Sequence, residues 1–102
     1  MSDDLTCLSA SVLREQIAAK EVSPVELTKA VLARAEKLQP VLNCFITIAG
    51  EQALTAAHAA EKSVMDGKPL GLLHGIPFAA KDLVNTAGVR TTFGSLLHED
   101  NV

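Results

Sequence analysis

Apolar residues recur at Leu8, Val12, Leu13 and Ile17, with polar Arg14, Glu15 and Gln16 between them. This helical spacing predicts a helix over about residues 9–20, capped by Ser9 or Ser11. A helix so short has to dock on something to persist. The sharpest local signal follows at Val22-Ser23-Pro24-Val25-Glu26-Leu27. Ser23 can accept from the Glu26 backbone N–H, and the Glu26 side chain can reach back to the N–H of Ser23. Pro24 falls at the first helical position, where a missing N–H costs nothing. Val22 and Leu27 stand where a hydrophobic staple puts them. The stripe Leu27, Val31, Ala35 and Leu38 carries this helix over about residues 24–38, and Pro40 is expected to stop it. An aliphatic stripe of this kind is core packing and carries no chemistry.

Residues 41–48 (VLNCFITI) are β-rich and apolar on both phases, which predicts a strand covered on both faces, with Cys44 as a small buried hydrophobe. An alanine-rich helix is predicted over about residues 51–66, with Ala53, Leu54, Ala57, Ala60, Glu61 and Val64 tracing the spacing. Gly67 supplies its stop, and Pro69 comes just after. Its small residues suit close packing against a sheet. His58 has no second histidine one turn on, and reads as a surface or boundary histidine rather than a ligand. Residues 76–81 predict a second short strand, with Pro77 placing it at an edge or a strand start. Residues 85–88 have turn chemistry. Residues 91–95 are polar with a glycine, suited to a loop lining a site. The order helix, helix, strand, helix, strand, loop indicates an α/β class. Two strands do not make a stable sheet alone. The chain is therefore expected to be one part of a larger α/β domain, or to associate with other chains, a homo-oligomer included.

Composition narrows this picture. Apolar residues make up 48% of the 102, enough for a core and too many for a disordered tail. Trp and Tyr are absent and there are three Phe, so the core must be aliphatic. The net charge is −3, with both signs spread along the chain, which leaves no basic patch for nucleic acid or an anionic membrane. Cys7 and Cys44 lie far apart without metal-ligand spacing, and read as reduced thiols. The start MSDDLT lacks the charged and apolar regions of a signal peptide, and no apolar run approaches the ~20 residues of a membrane span. A soluble, cytoplasmic protein is expected.

The stretch 70–95, LGLLHGIPFAAKDLVNTAGVRTTFGS, holds the candidate chemistry. Lys81 ends the apolar run 76–80. A lysine there is a strand-end residue with its amine in water, a partner in an ion pair, or a catalytic base or Schiff-base nucleophile. Asp82 would point to the opposite face of a continuing strand. Burial penalises the ammonium, and a neutral amine can serve as a base.

Leu73-His74-Gly75-Ile76-Pro77-Phe78-Ala79-Ala80-Lys81-Asp82, then Thr86-Ala87-Gly88, then Thr91-Thr92-Phe93-Gly94-Ser95, closely resembles the amidase signature family. That family shows L-H-G-I-P-x-x-x-K-D, T-A-G and T-T-x-G-S. The resemblance runs in register over residues 73–95 and includes the lysine. It implies an N-terminal portion of an amidase-signature fold, with helices packed on a mixed central sheet. It also implies a Ser–cis-Ser–Lys triad whose lysine is Lys81. In that mechanism the neutral lysine takes a proton from the bridging serine, which takes one from the nucleophilic serine. Backbone N–H groups stabilise the oxyanion. No metal or organic cofactor is called for. His74 then reads as positional beside Gly75, and the loop 91–95 as a brace for the lysine's surroundings.

The family's paired serines lie in a Gly/Ser-rich stretch downstream of the lysine, and residues 1–102 hold no such stretch. Ser63 and Ser95 are the serines near the motif, and neither has that context. Asn85 stands where the family often has Asp, a near-isosteric change in a turn. The resemblance implies an amide-bond hydrolase acting on a small-molecule amide, of which these 102 residues hold the lysine and lack the nucleophile. Taken alone they are expected to be inactive. Two alternatives stand beside it. One is a non-catalytic remnant or interaction module that keeps the amidase N-terminal fold. The other is an amidotransferase component that amidates misacylated tRNA with partner subunits.

Overall fold

The structure is a computed structural model that describes residues 2–102. Four α-helices come first: α1 (Ser2–Cys7), α2 (Ala10–Ala18), α3 (Pro24–Leu42) and α4 (Gly50–Met65). The rest of the chain is irregular, apart from one 3-10 turn at Leu96–His98. The helix expected over 9–20 is α2, and Ser9 caps it by accepting from the Val12 N–H at 3.3 Å. Helix α1 has no counterpart in the apolar spacing. It is fastened from outside, with Leu5 against the core and the Arg34 guanidinium of α3 donating to the Thr6 hydroxyl.

Ser23 begins α3 as the sequence indicates, accepting from the N–H groups of Val25 and Glu26. Its hydroxyl also donates to the Glu61 carboxylate at 2.7 Å, so the cap of α3 is tied to α4. The two helices run antiparallel: Ser23 meets Glu61 near the far end of α4, while Leu32 lies beside Gly50 at its start. Val22 and Leu27 are both buried, as a staple requires. Helix α3 continues past Pro40 to Leu42. The proline deletes one bond, to the Glu36 carbonyl, a single turn before the end, which the last turn survives. Asn43, in the left-handed region at φ 47°, closes the helix instead.

The core sits where α2, the start of α3 and the end of α4 converge. Leu13, Ile17, Val22, Leu27 and Val64 form it, with Leu5, Val31, Leu70 and Ile76 packed around. Helix α4 ends on Gly67 as expected: at φ +71° it lets the N–H groups of Gly67 and Lys68 return to the carbonyls of Val64 and Ser63.

The two expected strands, 41–48 and 76–81, do not form, and the described residues contain no sheet. Their one β pairing is an isolated bridge between Thr86 and Val89. Apolar, β-branched sequence specifies a strand only where a second edge supplies partners for its N–H and C=O groups. Val41 and Leu42 instead complete α3. The Gln39 side chain then bonds both backbone groups of Phe45, accepting from its N–H at 3.0 Å and donating to its carbonyl at 2.6 Å. Cys44, expected to be buried, is exposed, as is Cys7, and neither forms a disulfide. In 76–81, Pro77 has no donor to offer. The small face of α4 consequently packs on α3 rather than on a sheet. No helix among the described residues is long and apolar enough to cross a membrane.

Gly75 seats the irregular segment closely against the helices. It has φ +77°, and a Cβ there would stand 2.9 Å from Pro24 Cγ and 3.2 Å from Ile17 Cδ1. Gly67 shares the positive φ but has open space around it. Gly75→Ala is therefore expected to cost about 2–4 kcal/mol of unfolding free energy, and Gly67→Ala about 1–2, since only the first adds overpacking to backbone strain. Chemical denaturation of both variants checks this; equal losses would contradict the close seat of Gly75. Ser23→Ala is expected to cost about 1–2 kcal/mol, because it removes a cap and frees the Glu61 carboxylate. A midpoint unchanged from the parent would contradict that.

Candidate active site

The signature segment is laid over the helices by a few long-range polar contacts. Arg14 of α2 donates to the carbonyls of Gly71 and Leu70, at 2.7 and 3.2 Å. His74 is half-buried, with Nε2 2.9 Å from the Ala60 carbonyl of α4. That is a positional role, beside the Gly75 seat. His58 is exposed on α4.

Lys81 follows on the surface. It is exposed, and so are Phe78, Ala79 and Ala80, with Phe78 at 86%. The buried strand-end environment expected for Lys81 is absent here, because no sheet encloses residues 76–80. Of the readings open at sequence level, the amine in water describes this arrangement. An ion pair with Asp82 does not, since the Asp82 carboxylate is engaged elsewhere.

That engagement is the centre of the site. Asp82 accepts from the Thr92 N–H at 2.8 Å, from the Thr92 hydroxyl, and from the Gly94 N–H at 3.3 Å. The Phe93 N–H donates to the Asp82 backbone carbonyl at 3.0 Å. Three successive N–H groups thus converge on one residue. The chain achieves this by placing Phe93 and Gly94 both at positive φ, 54° and 70°. The left-handed region is unfavourable for an aromatic residue, and the Asp82 bonds hold Phe93 there. Its ring meets His98 edge to face at 5.4 Å. The Thr92 hydroxyl and then the Thr92 N–H hold the Asp82 carboxyl below its ordinary value against the opposing effect of desolvation, with lesser help from the Gly94 N–H and the Arg90 charge.

The loop is anchored behind as well. Thr91 and Thr92 are buried. Thr91 exchanges bonds with Asn101: its N–H donates to the Asn101 carbonyl at 2.8 Å, and Asn101 Nδ2 donates to the Thr91 carbonyl at 2.9 Å. Arg90 joins three pieces of backbone and side chain, donating to the carbonyls of Ile46 and Glu99 and to the Thr47 hydroxyl. Gln52 of α4 donates to the Gly88 carbonyl at 2.8 Å. The serines near the motif serve locally. Ser63 donates to the Ala59 carbonyl of its own helix, and Ser95 accepts from the Leu97 N–H. The described residues contain no cluster of His, Cys, Asp and Glu fit to hold a metal ion.

Sequence reasoning placed Lys81 and the brace 91–95 in one site, and the structure brings their neighbourhoods together through Asp82. It did not find the tasks of Asp82, Arg90 or Asn101. The only local signal was the placement of Asp82 ten residues before a threonine with a glycine nearby, which is too common to single out.

Comparison with known proteins gives a consistent picture. The amidase family profile matches residues 26–102. Among curated proteins, the chain is 44% identical over 93 residues to a glutamyl-tRNA(Gln) amidotransferase subunit of Geotalea daltonii, covering 91% of this chain and 19% of that protein. It is 46% identical over 93 residues to the same-named protein of Azotobacter vinelandii, with the same coverage. It is 37% identical over 99 residues to that of Carboxydothermus hydrogenoformans, covering 97% of this chain and 20% of that protein. The chain thus spans about a fifth of the length of the relatives it matches. No solved structure gives a significant match. With the signature pattern lying wholly inside the matched residues, the chain belongs to the amidase signature family.

Proposed function

We propose that these residues form the lysine-bearing part of an amide C–N hydrolase, with Lys81 as the base of a Ser–cis-Ser–Lys triad. The observation that supports this is the juxtaposition of Lys81-Asp82 with the loop 92–94, in a segment with the family's pattern. Lys81 would accept a proton from a bridging serine, and that serine one from the nucleophile, whose oxygen attacks the amide carbonyl. Collapse of the tetrahedral intermediate breaks the C–N bond, the amine leaves with a proton, and water resolves the acyl-enzyme. Residues 1–102 hold no Gly/Ser-rich stretch with paired serines. A lysine works as a base when it is desolvated. The reading therefore requires the apolar surface at Phe78, Leu83 and Val84, with Lys81 beside it, to be covered in the working enzyme. The substrate is a small-molecule amide, and the compartment the cytoplasm, in keeping with two thiols outside any disulfide.

A second reading is favoured by one observation: the Geotalea, Azotobacter and Carboxydothermus relatives carry the name of an amidotransferase subunit. In that reading the amide nitrogen is delivered to glutamyl-tRNA rather than released. Ammonia release that falls on adding glutamyl-tRNA, with amidated tRNA formed in its place, would support it. Release indifferent to the tRNA supports the plain amidase.

The 102 residues alone are expected to release no ammonia from a panel of primary carboxamides; turnover abolished by Lys81→Ala would contradict this. In the full-length protein that carries these residues, Lys81→Ala is expected to lower kcat roughly 10²–10⁴-fold, the range for loss of a general base, with its circular dichroism unchanged. Near-parent kcat in that variant would overturn the triad assignment.

A further inference from the structure

We propose that Asp82 is the positioning residue for Lys81, acting through the Thr92 hydroxyl and the N–H groups of the loop 92–94. This rests on the reading of Lys81 as the base. From Pro77 to Ala80 no backbone group is hydrogen-bonded among the described residues. Lys81 is fixed from its C-terminal side alone. Its carbonyl accepts from the Val84 N–H at 2.9 Å, closing a turn over 81–84. The next residue is Asp82, whose carbonyl takes the Phe93 N–H and whose carboxylate takes Thr92 and Gly94.

The position from which the lysine side chain departs is thus set by one carboxylate and the loop wrapped on it. The loop itself is held to Asn101 through Thr91. An acceptor-only group is required at residue 82. Asparagine keeps the shape but turns an N–H donor toward donors of Thr92 and Gly94, so the clamp opens on one side. At Thr92, serine retains the hydroxyl and valine removes it at similar volume.

The test uses the full-length protein and ammonia release from the same panel of primary carboxamides. Misplacing a catalytic group by about 1 Å costs on the order of 10²-fold, so Asp82→Asn is expected to lower kcat roughly 10–100-fold. KM should stay within about twofold, the pattern for a group acting in the transition state. Thr92→Val should lower kcat by a smaller factor, and Thr92→Ser should restore it. The double variant Asp82→Asn/Thr92→Val should be no slower than Asp82→Asn, because both act through the same clamp. All assays run well below each variant's melting temperature. Should Asp82→Asn fail to fold, the Thr92→Val and Thr92→Ser pair makes the same comparison. Parent-like kcat in Asp82→Asn, losses that multiply in the double variant, or a valine and serine equally slow would overturn the proposal. Lys81→Ala separates the two claims. If it is inactive while Asp82→Asn is normal, the positioning role fails and the base stands; if Lys81→Ala is active, both fail.

Discussion

A chain that runs from Asp66 to Ser95 without helix or sheet has to find other partners for its backbone, and Asp82 supplies the densest set. One carboxylate and one carbonyl take the N–H groups of Thr92, Phe93 and Gly94 together with a hydroxyl. A buried or half-buried peptide group left unpaired costs about as much as a lost hydrogen bond, so such convergence fixes a loop that no ladder supports. Arg90, Asn101 and Gln39 do the same for neighbouring stretches. The irregular segment is ordered by side chains that replace a sheet's partners one by one.

The helices give that segment its floor. Antiparallel α3 and α4 are locked at one end by Ser23 and Glu61, and the core of Leu13, Ile17, Val22, Leu27 and Val64 lies at that same end. Gly75 rests directly on Pro24 and Ile17, and His74 reaches the Ala60 carbonyl. The signature segment therefore starts from a rigid seat and reaches Lys81 six residues later over an open apolar surface. Amidase domains are α/β in general. Residues 2–102 form helices and a lysine-bearing loop, and Phe78, Leu83, Leu96 and Leu97 leave apolar surface exposed.

Short-range signals were legible in the sequence. Ser9, Ser23, Pro24 and Gly67 act within a turn of where they stand, so their roles follow from spacing alone. The family pattern was legible because its residues are fixed in register. The strands were not, since 41–48 and 76–81 have strand composition but no partner edge within these residues. The environment of Lys81 failed for the same reason: burial is a property of what packs against a segment. Asp82, Arg90 and Asn101 act across nine or more residues, through contacts that only the folded loop creates.

The Asp82 clamp is tested most directly by a pH titration of the backbone amides of Thr92 and Gly94, followed by NMR. Donors that favour the ionised carboxylate lower its pKa in the folded state. The clamp's stabilisation is therefore present above the ordinary value of 3.8 and lost as pH falls through the lower folded value. Both amides should shift together in one transition below 3.8, which Asp82→Asn abolishes. Amides that ignore acid, or that titrate at the ordinary carboxylate value, would contradict the account.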